Sequence, residues 1–275
     1  MSLLNIYHKW RVIVVSLYEA IYARKSVRRY NIKPIDQEQL DLLLRFAKSL
    51  PMLFPDIEVE FKILDCTDEK QYKQYFSGIE LFRAPYYLTI SSTKNNGYYI
   101  NAGYIMQQIS LYLTSKKIGS CFLGLVKLAS DLVEDPLKEH IITLAFGQAK
   151  SEINRVSGKL RRLPEEDIVT YKEDVNESLI TILKAGRLAP SSMNNQPWRF
   201  VAYKNRVHVF CKKNIIKSEL VSRMKLIDIG VAIGNMLVVT DEMWIKVDTF
   251  HSPSISNHHF KHNDYVVTLS LSSAF

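Results

Sequence analysis

The chain has 275 residues, of which 47% are hydrophobic and 23% charged, and 36 Lys and Arg against 28 Asp and Glu give a net charge of +8. This composition excludes a disordered tail, a collagen-like fibre and a disulfide-stapled miniprotein, and the length suits one or two domains. The positive balance favours anionic ligands such as phosphates, and nucleic acid less so, because no long Lys/Arg run occurs.

Near the N-terminus, Val12 to Val15 and Leu17 follow Lys9 and Arg11, and Glu19 and Arg24 close the apolar run. The run is far short of the roughly 20 residues that a spanning helix needs, so it reads as the buried start of a first helix. Asp36 to Ser49 reads as a second helix. Asp36 is its candidate N-cap, Gln39 completes a capping box, and Leu40, Leu43, Leu44 and Ala47 share one face. Ile57, Val59, Phe61 and Ile63 alternate with Glu58, Glu60 and Lys62, the pattern of a half-buried strand. Tyr86 to Ser91 is a second strand, Ala102 to Leu113 a third helix, and His140 to Phe146 a further strand ended by Gly147.

The order then restarts. Asn176 can cap a helix carrying Leu179, Ile182 and Leu183. Phe200 to Tyr203 and Val207 to Cys211 read as a hairpin around Asn205-Arg206. Ile229 to Leu237 is a helix, and Tyr265 to Leu271 a last strand. Sliding the chain along itself supports a duplication. An offset of 139 pairs Leu40 with Leu179, Pro51 with Pro190 and Phe61 with Phe200; an offset of 127 pairs Asn101 with Asp228 and Gly103 with Gly230; an offset of 125 pairs Thr143-Leu144 with Thr268-Leu269. The identities are sparse, but the segments keep their order.

Several clusters could carry chemistry. Arg24-Lys-Ser-Val-Arg-Arg-Tyr30 packs four cations and a hydroxyl into seven residues, either as a helix C-terminal cap or as a phosphate clamp. Arg155, Lys159, Arg161 and Arg162 form a second basic cluster that read alone is a solvated linker. Ala189-Pro-Ser-Ser-Met-Asn-Asn-Gln-Pro-Trp-Arg-Phe200 lies between a helix and a strand. Its hydroxyls and carboxamides offer donors and acceptors without charge, which suits a neutral heterocycle such as a flavin or a nucleobase. The glycines of Gly119-Ser-Cys-Phe-Leu-Gly124 let backbone approach a flat ligand, and Cys121 reads as a packed thiol. Cys66, Cys121 and Cys211 are odd in number with no C-x-x-C pair, so no disulfide framework is expected and a reducing cytosol fits. His251, His258, His259 and His262 read as a polar surface loop, and no metal site is expected.

The basic motif, the Pro-Ser-Ser-x-Asn-x-Gln-Pro-Trp loop, and Gly119 to Gly124 with Leu144-Ala-Phe-Gly147 behind it together resemble the FMN-dependent nitroreductase family. The resemblance implies an α+β fold, a cytoplasmic flavoprotein, and FMN held between two subunits, one giving the basic and glycine motifs and the other the Ser-Asn loop. In this chain the loop is displaced. Its place in the first repeat holds Leu50-Pro-Met-Leu-Phe-Pro-Asp56, and it stands instead in the second repeat, which in turn lacks the basic motif and a glycine pair. Each repeat thus keeps one half of a site, which resembles a tandem-repeat subgroup forming a pseudo-dimer within one chain. Residues 1–165 and 166–275 are the expected halves, each a mostly antiparallel sheet with helices, with the FMN cleft between them and Ile168 to Tyr171 as linker.

The resemblance assigns Arg24, Ser26, Arg161 and Arg162 to the phosphate or ribityl chain, and Arg28 to the N1–O2 edge of the flavin. Leu123 and Gly124 would present backbone N–H groups to N5, and Pro190, Ser191, Ser192, Asn194 and Gln196 would meet the ring from the other half. No protein acid or base is evident, so no catalytic residue is assigned. The implied activity is hydride transfer from NAD(P)H through FMN to an electron-poor acceptor, a nitroaromatic or quinone. The alternatives are a flavin-binding redox sensor without turnover, or another FMN reaction such as reductive dehalogenation. A monomer is expected, with no nucleic acid or membrane partner.

Overall fold

The computed structural model describes residues 16–78, 81–151, 161–213 and 218–273. The apolar run before Ser16 and the cations Arg155 and Lys159 lie outside the described residues. The chain is an α+β fold. A short first helix, α1 (Leu17–Ala23), carries a capping box in which the Glu19 N–H donates to Ser16 Oγ at 3.1 Å and the Ser16 N–H donates to the Glu19 carboxylate at 2.9 Å. The box expected at Asp36 does not form. Helix α2 (Gln37–Ser49) begins after Asp36 without a side-chain cap, but Leu40, Leu43 and Ala47 are buried along one face as the spacing requires.

The first sheet takes strands β1 (Val59–Asp65), β3 (Tyr86–Thr93), β4 (Gly119–Leu123) and β6 (Lys138–Gly147), all antiparallel, in the spatial order β1-β3-β6-β4. The short pair β2 (Phe76–Gly78) and β5 (Val126–Leu128) and the helix α3 (Glu69–Tyr75) decorate it. Helix α4 (Tyr98–Ser115) runs between β3 and β4.

The second sheet takes β7 (Val169–Tyr171), β8 (Trp198–Tyr203), β9 (Arg206–Lys212), β10 (Ile245–Phe250) and β11 (Asn263–Ser273). Helix α5 (Glu177–Leu188) precedes β8, helix α6 (Glu219–Glu242) runs between β9 and β10, and a single turn α7 (Pro253–Ser256) precedes β11. Asn176 caps α5 as expected, accepting from the Leu179 N–H at 2.9 Å. The β8–β9 turn is Lys204-Asn205, one residue before the expected position.

Read from β8, the order is β8-β9-β11-β10, the order of the first sheet element for element, with β7 added beside β8. The segment expected to be a plain linker is this added strand, which pairs parallel to β8 with Val169 opposite Phe200. It satisfies backbone groups that an edge strand would leave open.

The two layers meet at α4 and α6. Both are apolar almost all round and buried along most of their length, as a central helix must be. Their crossing is set by glycines. A Cβ on Gly103 would lie 2.1 Å from the Ile227 carbonyl oxygen, and a Cβ on Gly230 would lie 1.9 Å from that of Ile100. The contact is reciprocal, because an offset of 127 carries Gly103 to Gly230 and Ile100 to Ile227. Gln107 Nε2 donates to Asn235 Oδ1 at 2.7 Å across the crossing, and Asn235 Nδ2 donates to the Ala185 carbonyl at 2.9 Å, tying in α5.

Gly230→Ala should therefore force the helices apart and cost roughly 1–3 kcal/mol as an overpacking change. Gly234→Ala should cost less, since its nearest neighbours lie at 3.0 to 3.4 Å. Urea unfolding of the two variants checks the order.

Candidate functional site

A cleft of about 260 Å³ opens between the first sheet and α6. One wall comes from the basic motif and the first sheet: Ser26, Arg28, Cys121, Phe122, Gly124, Leu125 and Ile142. The other comes from Pro190 to Met193 and one face of α6: Met224, Ile227, Asp228 and Val231. Leu81 and Phe82 complete the rim.

The basic motif is not a loose turn. The chain leaves α1 at Arg24 in extended conformation, bridges Ser26 to Ser120 in parallel, and donates the Val27 N–H to the Ser120 carbonyl at 3.0 Å. The motif thus lies along β4 as an added strand segment. Gly119 permits this, since a Cβ there would lie 2.7 Å from a methyl of Val27. Tyr30 anchors the far end, its buried hydroxyl donating to the Val27 carbonyl at 2.6 Å. Alternation along this segment leaves Arg24 buried, Ser26 half-buried and Arg28 exposed at the cleft. Burial pushes the Cys121 thiol up, against the opposing pull of Arg28, Arg24 and a hydrogen bond with Ser26. Cys121 is therefore a packed thiol and not a thiolate nucleophile at neutral pH.

The opposite loop holds a strained backbone. Met193, Asn194 and Gln196 have φ of 51°, 56° and 47°, a region costly for residues with a side chain. Hydrogen bonds over-determine it. The Ser192 N–H donates to both oxygens of Asp228 at 3.0 and 3.1 Å, and the Gln196 N–H donates to Ser191 Oγ at 2.9 Å. Arg162 bridges from outside. Its Nη1 donates to Asn194 Oδ1 at 2.8 Å, and its Nη2 donates to the carbonyls of Leu188 and Ala189 at the end of α5.

This geometry divides the expected site residues. Ser26, Arg28, Gly124, Pro190, Ser191 and Ser192 line the cleft. Arg24 is buried behind them, and its charge reaches Cys121 and Tyr30. The Leu123 side chain packs into the small core with Tyr72, Phe76 and Tyr87. Asn194 and Gln196 do not line the cleft, and this corrects the expectation that their amides meet a ring. Asn194 Nδ2 donates to the Arg161 carbonyl; Gln196 Oε1 accepts from the Leu163 N–H, and its Nε2 donates to the Asn194 carbonyl. Arg162 holds the same loop, and Arg161 stands exposed beside it.

The sequence reading missed Asp228 as a site residue, although pairing it with Asn101 marked the position. Asp228 is 5% exposed, and burial pushes its carboxyl up to about 8, opposed only by the Ser192 N–H. It also missed the apolar rim. Met193 is 99% exposed, and Leu81 and Leu125 stand beside it on the same cleft.

The equivalent place beside the second sheet is also a depression, of about 300 Å³, lined in part by Gly97, Ile100, His251 and Val266, but it receives neither the basic motif nor the Ser-Asn loop. An offset of 139 carries Met193 to Phe54. Phe54 packs so tightly on Gly97 that a Cβ there would lie 2.5 Å from its ring, and Thr249 Oγ1 donates to the Leu53 carbonyl at 3.4 Å. Among the described residues no group of three or more His, Cys, Asp or Glu could hold a metal ion, and His258 and His262 share no helix. Among them, too, no helix is long and apolar enough to cross a membrane.

An unfolded aspartate titrates near 3.9, and Asp228 in the fold near 8. Between these values the folded state keeps a proton the unfolded state has lost, so stability should fall as pH rises through that window. Asp228→Asn should flatten this part of the curve, which melting temperatures of both proteins from pH 5 to pH 9 will read.

A family model described as "Putative TM nitroreductase" matches residues 16–239. Among solved structures, a "putative nitroreductase" from Thermotoga maritima superposes with a TM-score of 0.62 at 17% identity, covering 94% of each chain. A Clostridium difficile protein described as an FMN-dependent nitroreductase has a TM-score of 0.39 at 19% identity, covering 51% of this chain and 92% of its own. A Bacteroides thetaiotaomicron protein described as a "Putative NADH dehydrogenase/NAD(P)H nitroreductase" has a TM-score of 0.42 at 20% identity, covering 55% and 95%. No curated protein matches the chain. By the extent of the family match, carried across the basic motif, the cleft and α6, this chain belongs to the nitroreductase family of oxidoreductases.

Proposed function

We propose that the chain is a single-chain pseudo-dimer of two nitroreductase-like halves that binds one FMN and passes hydride from NAD(P)H to an electron-poor acceptor. The observation that carries this reading is the asymmetry of the two clefts. One joins the basic motif to the Pro190–Met193 loop; its counterpart, lined in part by Gly97, Ile100, His251 and Val266, receives neither. Separate subunits are not needed to complete such a site.

The residues present fit FMN. Ser26 and Arg28 set a hydroxyl and a cation at one wall, with Arg24 buried behind them, suited to a phosphate and to the electron-rich edge of a ring. Phe122, Ile142, Ile227 and Val231 supply flat apolar surface. Gly124 admits close approach; Met224 now lies against it, its Cε 2.1 Å from where a Cβ would stand. Ser26 and Arg161 would hold the phosphate end, with the charge of Arg24 behind them. Pro190, Ser191 and Ser192 would bound the ring from the second half, with Asn194, Gln196 and Arg162 keeping that loop in its strained form.

Bound there, FMN supplies two-electron chemistry as hydride acceptor and donor. The protein's own part is electrostatic and steric. Arg28 places a fixed positive charge where negative charge develops on reduction. The apolar walls exclude water, which strengthens that effect. The exposed collar of Met193, Leu81 and Leu125 offers a flat acceptor a surface to stack on. The halves are proposed to act within one monomer, without nucleic acid or membrane.

Flavin released by heat from purified protein should amount to one FMN per chain; two per chain, or none after reconstitution, would refute the reading. Arg28→Ala should weaken FMN binding about tenfold or more, the size of a lost charge-assisted hydrogen bond. Lys25→Ala should change it little, since Lys25 does not line the cleft. Fluorescence titration with FMN compares the two.

A further inference from the structure

Two positions related by the internal offset do the same structural work with different chemistry. In the first half the Leu53 N–H donates to Asn101 Oδ1 at 2.8 Å. In the second half the Ser192 N–H donates to the carboxylate oxygens of Asp228 at 3.0 and 3.1 Å. Leu53 and Ser192 are 139 apart, and Asn101 and Asp228 are 127 apart, the offsets that relate the loops and the central helices. Each bond braces the loop after a helix onto the buried face of a central helix. Asn101 is fully buried and does this with a neutral amide. A carboxyl is therefore not needed for the brace. The cleft that gathers the basic motif carries the acid, and the corresponding place by the second sheet carries the amide.

The acid is placed where a proton can be used. Asp228 lines the cleft wall with Ile227 and Val231. Lys225, one turn earlier on α6, directs its Nζ to the Lys212 carbonyl at 2.8 Å. Arg28 and Cys121 face Asp228 from the other cleft wall, with Arg24 behind them, and Cys211 faces it from β9, its thiol pushed up to about 11 by burial.

Resting on the FMN reading above, we propose that Asp228 is the proton donor to the acceptor bound in this cleft. Reduction of a quinone to a hydroquinone takes two electrons and two protons. The electron pair and one proton arrive together as hydride, supplied originally by NAD(P)H. The second proton comes from the Asp228 carboxyl: its O–H bond breaks, an O–H bond forms on the acceptor oxygen, and the carboxylate left behind regains a proton from water. Arg28, on the same cleft, favours that transient anion.

The test separates this step from flavin binding. Infrared spectra of wild type and Asp228→Asn, each recorded with and without FMN, should differ by one protonated-carboxyl band. The band should be present near pH 6 and lost by about pH 9. FMN affinity and the rate of flavin reduction by NAD(P)H are measured on Asp228→Asn in parallel, and its reoxidation is read as a ratio to that reduction rate. Its reoxidation by a quinone near pH 6 should slow by about tenfold or more, within the usual range for general acid catalysis, and lose its pH dependence. Asp228→Glu should restore part of the rate and the pH dependence. Absence of the band at pH 6, or wild-type reoxidation by Asp228→Asn, overturns the proposal. Infrared titration of wild type carrying isotope-labelled aspartate decides the protonation state even if the Asn variant fails to fold. If wild type binds no FMN, the functional reading fails, and with it the role of the proton, while the band still reports whether the acid is held neutral.

Discussion

The close crossing of α4 and α6 is the constraint on which the rest depends. Two central helices bring backbone against backbone because Gly103 and Gly230 carry no Cβ, each opposing a carbonyl of the other helix. A larger residue at either place would separate the layers. The same crossing brings one face of α6, with Ile227, Asp228 and Val231, to the wall of the cleft. The site is therefore a product of helix packing as much as of the loops around it.

From that crossing the asymmetry follows. The two sheets share one strand order, and beside each the loop after an outer helix is braced onto a central helix. The loops then diverge in bulk. Phe54 turns inward and packs on Gly97, whereas Met193 stands fully exposed over an open cleft. A half-buried aromatic ring in one place and a solvent-facing thioether in the other give the two loops different surfaces. The strained backbone from Met193 to Gln196 is held by hydrogen bonds that the other loop, with prolines and apolar residues, has no side chains to form.

Much of this was legible in the sequence. The face of α2, the cap at Asn176, the alternation in β1 and the order of the repeat follow from local periodicity, where side-chain direction is fixed by backbone geometry. The expected capping box at Asp36 failed because residue types permit a cap without requiring one, and the box formed instead at Ser16. Tyr171 and its neighbours were read as linker because a three-residue strand is too short to show a period, and its partner strand lies almost thirty residues away.

For the site, the sequence alone determined the chemical inventory: a basic motif, a carboxamide-rich loop, glycines near β4, and their wide separation along the chain. Only the tertiary structure decided which groups face the cleft and which are already engaged. Asn194, Gln196 and Arg162 belong to a motif that reads as ligand-binding, yet the fold engages their polar atoms with one another and with nearby backbone. Asp228 carries no motif, yet burial on α6 with a single backbone donor makes it the unusual acid of the cleft. The reason is physical. A side chain's donors and acceptors are fixed by its type, but whether they meet water, a ligand or another residue depends on neighbours distant in the chain.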